Sequence, residues 1–391
     1  MAGKEIVTID IFKQDYQSLI REAVSAINDE RNYIKAYDLA TQAKLIAENY
    51  LEDELSIIEC ERIRGLAYLG IDSSIGHDLI KKLYFENKNK FKDNKDLLIK
   101  LELALGVSKR VIGEYNKAIQ VFRKIYKYAE KKVNEEKSRG KDVSEFIRII
   151  IRCYIEITCC LIYKSQQKNY LVRVNLIEER LKKLNLMEIR DLEEIYKYVD
   201  EQICNSEINI ELNEAERYIK KAFLMSKEHN LKDLELFSLL DYACVLVEKK
   251  EFDEALRILE SIKEEQFVQE NLFGYVLDEI GIILIHKGRI EEAKEYLDSA
   301  WNWLYKRNDI NELNRICYGI ALYFFKKGNL DLAYAFAELA YKQDQNFPCL
   351  KLLYEICLIK YISAQRVGNE SEYAFYRSEY DRYKLFCNSS L

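Results

Sequence analysis

A single proline, Pro348, and only 13 glycines occur in 391 residues. Sheets and irregular folds spend turn residues more freely than that, whereas helix interiors exclude both. The scarcity therefore excludes a strand-rich or loop-rich fold. Histidine is also scarce: His77, His229 and His286 stand alone in sequence, with no second ligand at metal spacing. No C-x-x-C pair, glycine-rich phosphate loop or G-x-S-x-G elbow occurs. The apolar run Ile280 to Ile285 falls far short of a membrane span. Met1 to Asp10 shows no signal-peptide pattern. Basic excess is absent too. Sixty basic and 66 acidic residues leave a net charge of −6, which provides no general attraction for nucleic acid.

What is present is a folded, helical composition, 49% hydrophobic and 32% charged. Ten cysteines are scattered through apolar periodic segments, as buried thiols in a reducing cytoplasm would be. Neither a metal nor a cofactor is implied, and cytoplasmic localisation is expected. The abundance of Lys, Ile, Asn and Tyr fits an AT-rich bacterial genome.

Self-similarity is the strongest signal. Gly281, Gly288, Ala293 and Ala300 recur as Ala321, Gly328, Ala333 and Ala340. In each set a small residue is followed after 7 positions by Gly, after 12 by Ala and after 19 by a second Ala. Small residues allow two helices to cross closely, and the glycine ends the first in a left-handed cap. Gly106, Gly113 and Ala118 repeat the pattern; Ala243 and Ala255 do so with Lys250 replacing the turn glycine. Gly65 supplies a first helix, but His77 falls where its small partner is expected. Second-helix markers fall at 36, 77, 118, 173, 215, 255, 293, 333 and 373.

This spacing resembles the tetratricopeptide repeat with a period lengthened to about 40 residues. It predicts an all-α, right-handed α-solenoid of about eight or nine helix pairs. The 55-residue step between 118 and 173 contains a charged run. It divides the expected organisation into an N-terminal lobe at 1–130, a connecting segment at 131–141 and a C-terminal lobe at 142–391. In long period and chain length, the sequence is similar to the peptide-pheromone receptors of Gram-positive bacteria, the Rap, PlcR, NprR and PrgX group. Many members begin with a helix-turn-helix, and none is found here. Ala104 lies two residues before Gly106, not the four that would pack such a motif. Some Rap-type receptors act on a response regulator through a glutamine, but no motif singles out Gln14, Gln17 or Gln42. An enzyme is not expected.

The resemblance implies a groove lined by the first helix of each pair, suited to a short peptide or a protein. By register, its residues are Lys197, Asp200 and Glu201; Phe237 and Leu240; Tyr275, Asp278, Glu279, Ile282 and His286; and Arg315, Tyr318, Leu322 and Phe325. Aromatic anchors mixed with acidic groups suit a peptide carrying a basic residue. The expected function is a regulatory receptor that changes solenoid shape on binding a small signalling peptide. The alternatives are a constitutive protein–protein assembly scaffold and, on weaker grounds, a DNA-binding transcription regulator. Partners are expected to be a peptide or protein, with no membrane. Tyr373 to Phe386, aromatic and amphipathic, either caps the last repeat or pairs with a second copy in a homodimer.

Overall fold

The computed structural model describes residues 2–28, 32–182, 192–204, 209–306, 310–344 and 347–389. Among the described residues every regular element is a helix and no strand occurs. The chain divides into two compact units, Met1–Cys160 with Met225–Asn230, and Leu161–Leu224 with Leu231–Leu391. The charged segment 131–141 forms the end of a helix and the turn after it, and the division itself falls inside the next helix.

The first unit is a run of antiparallel helices: α1 (Ala2–Asn28), α2 (Tyr33–Ile46), α3 (Glu54–Ile71), α4 (Ser73–Asn87), α5 (Lys95–Val111), α6 (Tyr115–Lys137) and the start of α7 (Ser144–Lys182). From α1 to α6, each packs on the one before it. Asx side chains begin several of them. Asn32, Asp53, Asp72 and Asn94 each accept backbone N–H bonds from the following first turn. Small residues set the crossings. A Cβ on Gly106 would fall 2.6 Å from the Phe122 ring, and one on Gly65 would fall 2.7 Å from Ile80. The α3–α4 crossing corrects the sequence register. Its small residue is Gly76, not position 77, because a Cβ at 76 would fall 2.5 Å from the Leu69 backbone nitrogen. His77 then turns toward α5, where its Nδ1 lies 3.0 Å from Ser108 Oγ. Ser108 spends its own hydrogen on Leu105 O, so His77 Nδ1 is the donor.

The second unit contains the rest of α7, followed by α8 (Leu192–Cys204) and most of α9 (Asn209–Glu228). Repeating pairs follow: α10 (Lys232–Glu248) with α11 (Phe252–Ile262), α13 (Phe273–His286) with α14 (Ile290–Lys306), α15 (Ile310–Lys326) with α16 (Leu330–Asp344), and α17 (Phe347–Val367) with α18 (Glu370–Ser389). A short helix, α12 (Gln266–Asn271), precedes α13. Pro348 stands at the second position of α17, where its missing N–H removes no helical bond.

The turn inside each pair has one geometry. Gly288, Gly328 and Gly368 have φ of 75°, 77° and 71°, and Lys250 adopts the same left-handed state at 64°. After each, the next N–H bonds back across the helix end: Glu251 to Leu246 O at 2.8 Å, Arg289 to Leu284 O at 2.9 Å, and Asn329 to Phe324 O at 3.0 Å. The marker at 173 does not begin a second helix. Arg173 lies in the interior of α7, a single helix of 39 residues. Two large clusters form the core. One joins α7, α8 and α15 to α18; the other joins α10 to α15. Tyr380 and Tyr383 of α18 are 2% and 0% exposed, so the aromatic face of that helix covers α17, while Phe375 and Leu385 remain exposed.

Candidate functional site

The second half of α7 meets helices far away in sequence. Gln166 Nε2 donates to Glu248 Oε1 on α10 at 2.7 Å. The Tyr170 hydroxyl donates to the backbone oxygen of Tyr383 on α18 at 2.9 Å. Arg173 Nε donates to Glu355 Oε1 on α17, and its Nη1 to Asp200 Oδ1 on α8, both at 2.5 Å. Five residues later, Glu178 accepts from Tyr354 at 3.3 Å and also from Tyr380 and Lys384. Val174 and Ile177, on the same helix, sit in the core with α17 and α18. A polar wall is thereby assembled from α7, α8, α10 and α17.

The electrostatics of this wall are those of poorly solvated charge. Burial works against the Arg173 charge, but Glu355 and Asp200 outweigh it and hold the guanidinium firmly protonated. Burial pushes the Glu248 carboxyl up, against the pull of Gln166 and Lys351. Burial and the nearby Arg173 together push the Lys351 ammonium down, with Glu355, Asp200 and Glu248 opposing. The hydroxyls of Tyr196 and Tyr318 are pushed far up, mainly by burial. His286 stacks on Phe252, with ring centroids 5.2 Å apart. Its ring is reached by solvent, yet surrounding protein and the cations Lys351, Lys326 and Lys250 lower its pKa to about 4.

The sequence-derived positions separate into three sets. Asp200 joins the wall directly, and Tyr318 feels the charges of Glu248, Glu355 and Glu279. Tyr275, Glu279 and Phe325 are half-buried. Leu240, Ile282 and Leu322 are buried in the core cluster of α10 to α15, filling the contacts between successive first helices. Asp278 is buried at 9% exposure beside Gly319, which has no side chain to obstruct its carboxylate. Phe237 presents its ring edge to Phe267 of α12, with centroids 5.8 Å apart. Lys197 and Glu201 are exposed on α8. The side chain of Arg315 lies outside the described residues.

Five wall residues escaped the register: Gln166, Arg173, Glu248, Lys351 and Glu355. Counting from the small residue of each first helix finds some of them. Glu355 occupies the position of Tyr275, six before the small site, but Tyr361 fills that site in α17 and hides the repeat. Glu248 occupies the position of His286, five after it. No repeat signal could find Arg173 or Gln166, because α7 lies outside the pairing.

Several polar atoms on α7 and α8 are enclosed without a protein partner among the described residues: Ser165 Oγ, Gln166 Oε1, Asn169 Oδ1 and the Tyr196 hydroxyl. Each such group costs about 1–3 kcal/mol unless a partner is supplied. Among the described residues, no group of three or more His, Cys, Asp or Glu is placed to hold a metal ion. No described helix is long and apolar enough to cross a membrane.

No family model matches the chain, and no curated protein matches it in sequence. Solved structures do share its fold. A Rap protein complexed with competence and sporulation factor aligns over 85% of this chain and 75% of its own, at 14% identity and a TM-score of 0.55. The Rap conjugation gene regulator of the plasmid pLS20, in complex with the Phr* peptide, aligns over 97% of this chain and 96% of its own, at 10% identity and a TM-score of 0.54. Aspartyl phosphate phosphatase F from Bacillus subtilis aligns over 94% of both chains, at 12% identity and a TM-score of 0.39. The helix pairs, the left-handed turns between them and the first two of these alignments together give the chain the fold of the Rap proteins, a tetratricopeptide-like α-solenoid.

Proposed function

We propose that the second unit binds a short peptide against the wall of α7, α8, α10, α13, α15 and α17, and that occupancy changes how the protein engages a protein partner. The observation that carries this reading is the pair of enclosed acceptors on α7, Gln166 Oε1 and Asn169 Oδ1, together with the unpartnered hydroxyl of Tyr196 on α8. An extended peptide offers backbone N–H groups at regular spacing, which such acceptors recognise without regard to side chain. Glu279 and Asp200 suit a basic residue of that peptide. The fold supports the same reading, since two solved proteins that share it are described as complexes with a factor or a peptide. Switching follows if the bound state holds α7, α8 and α17 differently from the free state, because both partners then bias one equilibrium.

The test is a thermal-shift screen of the full chain against peptides purified from the source cell. A true ligand at a hundred times its Kd stabilises the protein by about 2.7 kcal/mol. Asn169→Ala should weaken that ligand while leaving the unliganded melting temperature near its original value. A screen in which no peptide fraction raises the melting temperature would remove the proposal.

The constitutive scaffold is the second reading, and it has its own support. Ile34, Leu45, Ile75, Leu79 and Phe85 of the first unit are 61%, 54%, 48%, 39% and 51% exposed. Ile75 and Leu79 lie four residues apart on one face of α4, the kind of apolar face a protein partner covers. Recovery of one stoichiometric partner, indifferent to every peptide fraction, would favour this reading.

A further inference from the structure

The polar wall of the second unit holds an ammonium, Lys351, on which Glu355, Asp200 and Glu248 act only at a distance. Lys351 and Glu355 are four residues apart on α17, and therefore neighbours on one helix face. Glu355 is engaged by Arg173, and Arg173 also engages Asp200. Glu248 accepts from Gln166. Glu355 and Asp200 are paired with a cation and Glu248 with a neutral amide, and Lys351 itself has no hydrogen bond or salt bridge among the described residues. The Asn169 carbonyl oxygen, one turn ahead of Arg173 on α7, is also unmatched. So is the hydroxyl of Tyr196, whose ring centre lies 5.5 Å from the Arg173 guanidinium carbon.

A half-buried lysine with no direct ion pair weakens a fold, since desolvation and a neighbouring cation both disfavour its charge. A nonpolar side chain of the same length would serve packing better. Where a fold carries such a cost at the wall of a groove, ligand recognition is the usual return. The chemistry that answers an unpartnered ammonium, a nearby guanidinium and a free hydroxyl is a carboxylate. A second lysine at the rim, Lys326, forms no ion pair among the described residues either, and adds to the positive field on His286.

We propose that Lys351 receives a carboxylate of the bound peptide, with Tyr196 as the accompanying hydrogen-bond donor. This inference rests on the peptide-binding reading above. A carboxylate has two sources in a peptide, the C-terminus and an Asp or Glu side chain, and the experiment separates them.

The probes are two pools of degenerate pentapeptides, one with free C-termini and one amidated. They are offered to the full chain, and the retained peptides are identified by mass spectrometry. Individual binders are then titrated. Lys351→Met should melt no lower than the wild type without ligand, yet bind the selected free-acid peptide about tenfold more weakly, the effect of losing one charge-assisted bond. Lys351→Arg should restore most of the affinity. If the C-terminus is the group, amidation weakens wild-type binding by a similar factor. If a side chain is the group, amidation has no effect and Asp→Asn or Glu→Gln in the peptide does. Unchanged affinity on amidation and on neutralising every acidic residue of the peptide overturns the Lys351 proposal while the peptide groove stands. That arm uses the wild-type protein, so it holds even if a variant fails to fold. Retention of no peptide from either pool overturns the groove and Lys351 together.

Discussion

Arg173 and Glu355 stand 182 positions apart in the chain and share a 2.5 Å hydrogen bond with both residues 5% exposed. The guanidinium is the common point of α7, α8 and α17, since its other arm engages Asp200. Removing one member of a buried pair strands the other. Arg173→Ala should therefore cost about 3–5 kcal/mol, whereas Arg173→Met with Glu355→Leu should recover most of that loss. Urea denaturation of the two variants checks both halves of the expectation. Equal losses would mean that the pair is screened like a surface salt bridge.

Lys250 occupies the one left-handed turn of the α10-to-α18 pairs that lacks glycine, at φ 64°. A side chain in that state costs about 1–2 kcal/mol, and glycine costs about 0.5–1 kcal/mol in the unfolded chain. Lys250→Gly should raise stability by about 0.5–1 kcal/mol. Gly288→Ala, the reverse change at φ 75°, should lower it. A melting temperature that falls for Lys250→Gly would show that the lysine side chain contributes more than the backbone strain removes.

Two glycines of the first unit differ in what surrounds them. A Cβ on Gly65 would meet a side chain, that of Ile80; a Cβ on Gly76 would meet the backbone of Leu69 and Tyr68, which yields less readily. Both substitutions to alanine overpack, at about 1–3 kcal/mol. Gly76→Ala should sit at the upper end and Gly65→Ala at the lower. The measurement is the urea midpoint of each variant, and the reverse order would contradict the α3–α4 register.

His77 is buried at 8% exposure as a neutral donor to Ser108. Burial lowers its pKa, and Lys109 and Lys81 add to the effect against Asp78 and Glu114. The unfolded chain carries histidine at its ordinary value of 6.5. Below that pH the unfolded state binds the proton first, so the His77 contribution is complete above about pH 6.5 and is lost as pH falls further. The stability lost between pH 7 and 5 should be smaller in His77→Gln than in the wild type. Parallel slopes for the two proteins would rule out this contribution.

Much of the architecture was legible in the sequence because it is written in local spacing. Gly281, Gly288 and Ala293 mark a close crossing, a left-handed cap and a second crossing, all within 13 residues. Each requirement is steric and acts between chain neighbours, so residue type alone reveals it. The same locality explains where the reading slipped. Arg173 resembled a repeat marker because it lies at a plausible interval, although it belongs to the long helix α7.

What the sequence by itself determined is therefore the helical class, the paired repeat and the small residues at its crossings. Tertiary structure alone decided the polar wall. Gln166 meets Glu248 across 82 positions and Arg173 meets Glu355 across 182. No periodicity links such residues, because their proximity arises when α7 packs against helices much later in the chain. The electrostatic state of the wall follows the same rule. Lysine 351 looks like an ordinary surface residue in the sequence, and only the helices packed around it make its charge costly.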